Sequence, residues 1–132
     1  MDAAFLKTYL TIAVIMTTID VAWLTYRGDY FKKLFTQVQG TPLQFRTAPA
    51  VLVYGVVMPL LVYFGAVEPA TSTTNAALRG AVTGLLAYGL YDLTNYATLT
   101  RYTLEMTVTD IAWGTTLFAT VAAATYFFIK NK

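Results

Sequence analysis

The chain has 132 residues, of which 57% are hydrophobic and only 12% are charged, and its formal net charge at neutral pH is +2. Soluble domains carry about twice this charged fraction, and the apolar residues fall in long blocks, so the composition predicts a multi-pass integral membrane protein. The absence of cysteine and histidine excludes disulfides, thiolate nucleophiles, a histidine base and Cys/His-held metals or haem. We therefore expect no cofactor, and the small, scattered positive charge argues against a nucleic-acid partner.

Four stretches approach the roughly 20 residues that are needed to cross a bilayer. They lie at about residues 4–26, 48–67, 76–99 and 106–129. The first is interpreted as a retained span, because its apolar stretch is long and no A-x-A-type cleavage site follows it. Apart from the segment between the first two spans, the connections are short, so neighbouring spans should be antiparallel. The prediction is an all-α fold, a compact antiparallel bundle of four transmembrane helices that forms one domain over residues 1–132.

Between the first two spans, residues 28–39 have the pattern of an amphipathic helix. Their apolar side chains recur at helical spacing, while charged and polar side chains occupy the other face. The apolar members are Tyr30, Phe31, Leu34, Phe35 and Val38. This pattern predicts a short helix that lies in the headgroup region and ends at Gly40 and Pro42. An ordinary loop is the alternative.

The basic residues leave the orientation of the chain undecided. With the N-terminus inside, four Lys and Arg residues fall on the inner side and five on the outer side. The terminal amine evens the balance, so the positive-inside rule does not decide. We favour both termini on the cytoplasmic side.

Acidic and amide side chains interrupt the apolar spans at comparable positions. Asp20 lies near the end of the first span, Asp92 and Asn95 near the end of the third, and Asp110 near the start of the fourth. In a four-span bundle these ends are on the same side of the membrane. At about 1.5 Å of rise per residue, the four groups should lie in one layer, roughly 6–10 Å from the span centres.

Two similar motifs frame this layer. The first span contains IDVAWL and the fourth contains TDIAWG, so an aspartate precedes a tryptophan by three residues in each. This spacing places Asp20 next to Trp23, and Asp110 next to Trp113, on one helix face.

Small residues and a proline indicate how the spans approach one another. In the third span, Gly80 and Gly84 form a small-xxx-small ridge, which we expect Ala87, Tyr91 and Asn95 to continue.

Tyr88 precedes Asp92 by one turn, so its phenol is a candidate hydrogen-bond donor to that carboxylate. Pro59 should kink the second span or leave a backbone carbonyl without its usual partner.

Five motifs together resemble a family of small four-span membrane proteins that is known as a domain of unknown function, the 2177 family. The motifs are D-x-x-W-L (20–24), V-E-P-A (67–70), G-A-x-x-G (80–84), Y-D-L-T-N-x-A-T-L (91–99) and D-x-x-W-G-T (110–115). The resemblance covers nearly the whole chain and implies a fold but no activity. The residues that match the family's motif positions are Asp20, Trp23, Tyr91, Asp92, Thr94, Asn95, Asp110 and Trp113.

These observations predict a polar site inside the membrane. Its candidate residues are Asp20, Asp92, Asn95, Asp110, Thr94, Tyr88, Tyr91, Trp23 and Trp113, with Arg27 and Arg101 as candidate counter-ions. Three ionised acids at one depth repel one another unless they share protons, meet an arginine or bind a cation. No metal and no catalytic residue is assigned. The alternative is structural, with the acids bonded across helices and the tryptophans in the aromatic belt.

Three functions are compatible with such a site. The favoured one is transport or conduction of protons or a small cation, because ionisable groups inside membranes mark ion pathways. The second is a structural or accessory subunit of a membrane complex. The third is a lipid-modifying enzyme that uses carboxylate and tyrosine acid–base chemistry, which no sequence motif supports. The expected partners are membrane lipids, and either a second copy of the chain or a larger membrane complex.

Overall fold

The structure, a computed structural model, describes residues 1–131, so Lys132 at the end of the predicted domain lies outside the described residues. The described chain is helical throughout apart from short connections. Its helices are α1 (Ala3–Tyr26), α2 (Gly28–Gln39), α3 (Thr47–Val67), α4 (Thr73–Thr98) and α5 (Leu104–Lys130).

Side-chain caps determine where several of these helices begin. Asp2 accepts a hydrogen bond from the backbone N–H of Phe5 (2.7 Å) at the start of α1. Ser72 caps α4 and Thr103 caps α5 in the same way. A capping side chain satisfies a backbone donor that the helix itself leaves free. The last two helices therefore begin two or three residues before the predicted spans at 76–99 and 106–129.

Three helices, α1, α3 and α5, are long and apolar enough to cross a membrane. Helix α4 has 26 residues and occupies the place of the third predicted span, but it is not among them. Its Arg79, Asp92 and Asn95 lower its mean hydropathy.

Helices α4 and α5 approach each other closely through glycine. A Cβ atom added to Gly84 would lie 2.3 Å from the carbonyl oxygen of Gly114, and one added to Gly80 would lie 2.4 Å from that of Phe118. No side chain fits at either position, so the backbones are in contact. This confirms the predicted ridge at Gly80 and Gly84.

The ridge does not continue along α4 as the sequence suggested. The next positions in contact with α5 are Tyr88, whose ring lies against Gly114, and the fully buried Asp92. Tyr91, which was expected on the ridge, is 52% exposed. A four-residue step from Gly84 reaches position 88 rather than 87, and this small rotation selects the stripe that faces α5.

Helix α3 is irregular on both sides of Pro59. Segments Val53–Val57 and Tyr63–Val67 are wound as π-helix, with a short α-helical segment between them. Proline has no N–H for the carbonyl four residues earlier, and that carbonyl, at Gly55, accepts a hydrogen bond from the Tyr9 phenol of α1. The expected unpaired carbonyl is therefore present, and a neighbouring helix supplies its donor.

The hydrophobic core fills one half of the helix assembly. Its residues come from α1, α3, α4 and α5, and they are shielded from solvent almost completely. They include Ile12, Met16, Val62, Ala66, Ala76, Leu117 and Val121.

Helix α2 covers the other end. Leu34 is buried against Tyr102 and Met106, near the turn between α4 and α5, and Phe35 packs beside them. Gly40 ends the helix in the left-handed conformation (φ 78°), which glycine adopts without strain. The amphipathic helix forms at the predicted bounds and the loop alternative is wrong, but its apolar face contacts the protein itself.

Candidate functional site: a carboxyl cluster beside a cavity

Asp20 is buried, and both of its carboxylate oxygens are hydrogen-bonded. One accepts from the Tyr54 phenol (2.8 Å) and the other from the Trp113 indole N–H (2.7 Å). Asp20 therefore joins α1 to α3 and to α5. Charge-assisted hydrogen bonds of this kind are among the stronger polar contacts in proteins.

The two tryptophans of the repeated motif are stacked on each other. Their ring centroids are 4.3 Å apart with an interplanar angle of 8°. The sequence predicted that each tryptophan lies beside the aspartate of its own helix. Trp113 of α5 instead donates its indole N–H to Asp20 of α1. The indole N–H of Trp23 is buried and has no hydrogen-bond partner within residues 1–131.

Asp92 and Asp110 form what we call the carboxyl pair. Their carboxyl groups are within hydrogen-bonding reach of each other. Neither carboxylate can donate a hydrogen bond unless it carries a proton, so this contact becomes a hydrogen bond only when one proton is shared. Asp92 is fully buried, and in the described part of the chain its Oδ2 accepts no hydrogen bond. The two carboxyl groups can therefore be hydrogen-bonded to each other only in a form that holds a proton.

Tyr102 supplies the phenol that bonds Asp92. It lies in the turn between α4 and α5, is buried, and donates to Asp92 Oδ1. Burial raises the pKa of the Tyr102 phenol, and the hydrogen bond to Asp92 raises that pKa further, so the phenol keeps its proton. The predicted donor, Tyr88, forms no bond to Asp92 among the described residues and instead meets Phe118 edge-on, with ring centroids 5.9 Å apart.

Sequence reasoning missed both phenols that bond the aspartates. Tyr102 carries no periodic signal because it lies outside the helices. Tyr54 could have been found, since it lies a few residues into the second predicted span from the side on which the acids lie.

Asn95 and Thr94 lie at the edge of this site. Asn95 is half-buried and lies close to the phenols of Tyr91 and Tyr102. Thr94 is exposed and lines a shallow groove on the outside of α4 together with Asn95 and Tyr91. The structure therefore places Asn95 beside the carboxyl pair and Thr94 apart from it.

The two arginines that were candidate counter-ions have other contacts. The Arg27 guanidinium lies 4.2 Å from the Tyr30 ring centroid and 5.7 Å from that of Trp23. Arg101 donates to the backbone carbonyl of Gln37 in α2 (3.3 Å). Within residues 1–131, neither guanidinium donates a hydrogen bond to a carboxylate of the cluster.

A cavity of about 560 Å³ adjoins the cluster. All five helices contribute to its wall, and most of the lining is apolar or aromatic. The polar side chains that line it are Asp20, Asp110, Tyr54, Tyr88, Tyr91, Trp23 and Trp113. Asp110 thus stands between the cavity and Asp92, which lies behind it.

The three acids do not converge on one point. In the described part of the chain, no group of three carboxylates is arranged to hold a metal ion. The geometry is a bonded Asp20 on one side and the carboxyl pair on the other.

Apolar helices that are long enough to span a bilayer, with polar groups turned inward, define a multi-pass helical membrane protein. A family model described as "Predicted membrane protein (DUF2177)" matches residues 5–127, and the chain belongs to this family. The resemblance read from the sequence motifs is thereby confirmed. No curated protein and no solved structure matches the chain.

Proposed function

We propose that the chain is an antiparallel four-span bundle that moves protons across the membrane, with the carboxyl pair as the proton-binding site. The cavity gives this site access to its surroundings. Asp92 and Asp110 take up and release the proton, and Tyr102 holds Asp92 in place.

The length and packing of α4 support the proposal that it also crosses the membrane, which gives four spans in total. Its 26 residues extend about 39 Å, more than the hydrocarbon thickness of a bilayer. It meets α5 through glycine, as helices do in lipid. Gly80 lies by Phe118 and Gly84 by Gly114, so residue numbers rise along one helix as they fall along the other. We propose that its exposed leucines, such as Leu86 and Leu90, face lipid.

The contact between Asp92 and Asp110 carries the proton proposal. A proton that binds there is shared between the buried Asp92 and the half-buried Asp110, which lines the cavity. Paired carboxylates of this kind titrate together rather than singly. Acids in such positions are the usual components of proton relays in pumps and transporters.

The apolar half of the bundle favours a carrier over an open pore. Beyond the cluster, Val62, Leu117 and Val121 are closely packed and almost fully buried, so the cavity is closed on that side. Movement of a proton to the far side then requires a rearrangement of helices. Helix α3, with a proline between two π-helical segments, is the element most easily re-formed.

The test is proton flux into liposomes that contain the purified protein and a pH-sensitive dye, driven by a potassium diffusion potential. We expect flux well above that of empty liposomes, and a fall of at least about tenfold in Asp110→Asn and in Asp92→Asn. Glu105→Gln, at an exposed position in the first turn of α5, should leave the flux unchanged. Wild-type flux in a folded Asp110→Asn variant, or no flux from the wild-type protein, would contradict the proposal.

A structural role is the better proposal for Asp20. Each of its oxygens already accepts a hydrogen bond, and the two donors come from two other helices. Its bonds favour the structural alternative for this residue alone. On this division of roles, Asp20 holds three helices together while the carboxyl pair binds the proton.

A further inference from the structure

We propose that the cavity binds a hydrophobic organic cation, such as an aromatic or alkyl ammonium compound, whose charge lies beside Asp110. This inference deepens the proposed function. It rests on that function in one respect, because the bound cation and the shared proton use the same carboxyl group.

The charges that line the cavity select the sign of the ligand. Among the described residues, two aspartates, Asp20 and Asp110, line it and no lysine or arginine does. Arg27 lies over the aromatic rings of Tyr30 and Trp23. An anionic ligand such as a fatty acid would meet carboxyl groups and no positive partner, which is costly away from water. A cationic ligand would instead lie beside carboxyl groups of the opposite charge.

Aromatic rings line the same space. The faces or edges of two indoles and three phenols border the cavity, from Trp23, Trp113, Tyr54, Tyr88 and Tyr91. Aromatic faces attract ammonium groups, most strongly where water is excluded. Such rings together with a carboxylate form the usual recognition site for organic cations, whereas a small inorganic ion gains little from apolar walls.

Asp110 is the better of the two aspartates for binding the charge. Both oxygens of Asp20 are occupied by Tyr54 and Trp113. Asp110 faces the cavity and is backed by Asp92, whose buried Oδ2 accepts no hydrogen bond from any described residue. When a cation enters, the shared proton leaves the pair and the charge of the site is conserved.

The shape of the cavity fits a ligand that arrives from the lipid. Its volume of about 560 Å³ is within the usual range for small-molecule sites. Val57 of α3 and Tyr91 of α4 line it and are 50% and 52% exposed, so both lie at its opening. Further along, α3 meets α4 where Gly65 approaches Thr83. Because the exposed Val57 and Tyr91 belong to these two helices, we infer that the cavity opens sideways between α3 and α4.

The chain contains its own reporter for this site. It has two tryptophans, and both line the cavity. Quenching of their fluorescence in detergent by tetraphenylphosphonium measures occupancy, with free N-acetyltryptophanamide in the same detergent as the background. Tetraphenylborate is the matched control, because it has a similar size and hydrophobicity and the opposite charge. We expect saturable quenching by the cation and only background quenching by the anion.

Two variants locate the binding. Asp110→Asn should weaken tetraphenylphosphonium binding about tenfold or more, because the cation loses a partner in a desolvated site. Glu105→Gln should bind as the wild type does. Equal binding of the anion and the cation, or unchanged affinity in an Asp110→Asn variant with wild-type circular dichroism, would overturn the inference.

The flux assay separates the two proposals. Saturable cation binding without proton flux supports the inference and contradicts the proposed function. The opposite result is proton flux without saturable binding of any of a small series of tetraphenyl and alkylammonium cations. It would support the proposed function and contradict the inference.

Discussion

The acids of this protein differ from one another through single donor side chains, which lie in α3, in α5 and in the turn between α4 and α5. Asp20, Asp92 and Asp110 lie in the same region, yet Asp20 receives two N–H or O–H donors while the carboxyl pair receives one, from Tyr102. The difference depends on which donors neighbouring elements supply, because the three carboxyl groups are chemically the same.

The contribution of these donors can be measured at Tyr54. Tyr54→Phe removes the donor to Asp20 Oδ2 and leaves a buried carboxylate oxygen unpaired. We expect the free energy of unfolding to fall by about 1–2 kcal/mol, measured by reversible unfolding in mixed detergent micelles. Tyr96→Phe, on the exposed face of α4, removes the same hydroxyl where no hydrogen bond to it is present among the described residues. An equal loss in both variants would contradict the structural role of Asp20.

The sequence allowed prediction of the acids of the site but not of their hydrogen-bond partners. An acid in an apolar span is visible in the sequence, so Asp20, Asp92 and Asp110 could be identified. Their partners could not, because the pairing of Trp113 with Asp20 depends on the rotation of α5, and that of Tyr102 with Asp92 on the path of a turn. Neither has a periodicity that a sequence displays.

At the scale of helices, the contact between α4 and α5 was accessible to prediction because only glycine allows it. Gly80 and Gly84 lie one turn apart and mark the contact face directly. Pro59 was equally informative, since its missing N–H had to leave a carbonyl free. The π-helical turns around it were not predictable, because they depend on how α3 fits against α1.

The glycine contact predicts opposite results for the same substitution at two positions of α4. Gly84→Ala adds a methyl group 2.3 Å from a backbone oxygen of α5, which must force the helices apart and should cost about 2 kcal/mol of stability or more. Gly89→Ala adds it where, apart from its chain neighbours and the backbone of its own helix, no described atom lies within 4 Å. This substitution should be neutral or stabilise by up to about 1 kcal/mol. Thermal unfolding in detergent would compare them. Similar melting temperatures for the two variants would contradict the close approach.

For the whole molecule, the number of spans decides where the termini lie. If α4 crosses the membrane, the termini are on the same side, and the turns before and after α4 are on opposite sides. The chain has no cysteine, so single cysteines can be introduced without further changes. We expect a membrane-impermeant maleimide to label Thr71→Cys and Thr100→Cys from opposite sides, and Asp2→Cys and Asn131→Cys from the same side.

The cysteine-free wild-type protein is the control for this labelling. Labelling of Thr71→Cys and Thr100→Cys from one side would show that α4 does not cross, and the four-span proposal would be wrong. The fold class itself could be predicted from composition. Whether α4 crosses the membrane could not, because its polar side chains make it resemble a buried helix as much as a span.

The bond between Asp20 and Trp113 also has a consequence for biosynthesis. The two residues are 93 positions apart, and at about 5–20 residues per second the ribosome needs roughly 5–20 s to make the second after the first. During that interval the nascent α1 carries an acid whose final partner does not yet exist. Tyr54, only 34 positions after Asp20, is made much sooner. If the helices insert in order, its phenol is the first donor for Asp20, and it holds the carboxylate until the last helix completes the pair of bonds.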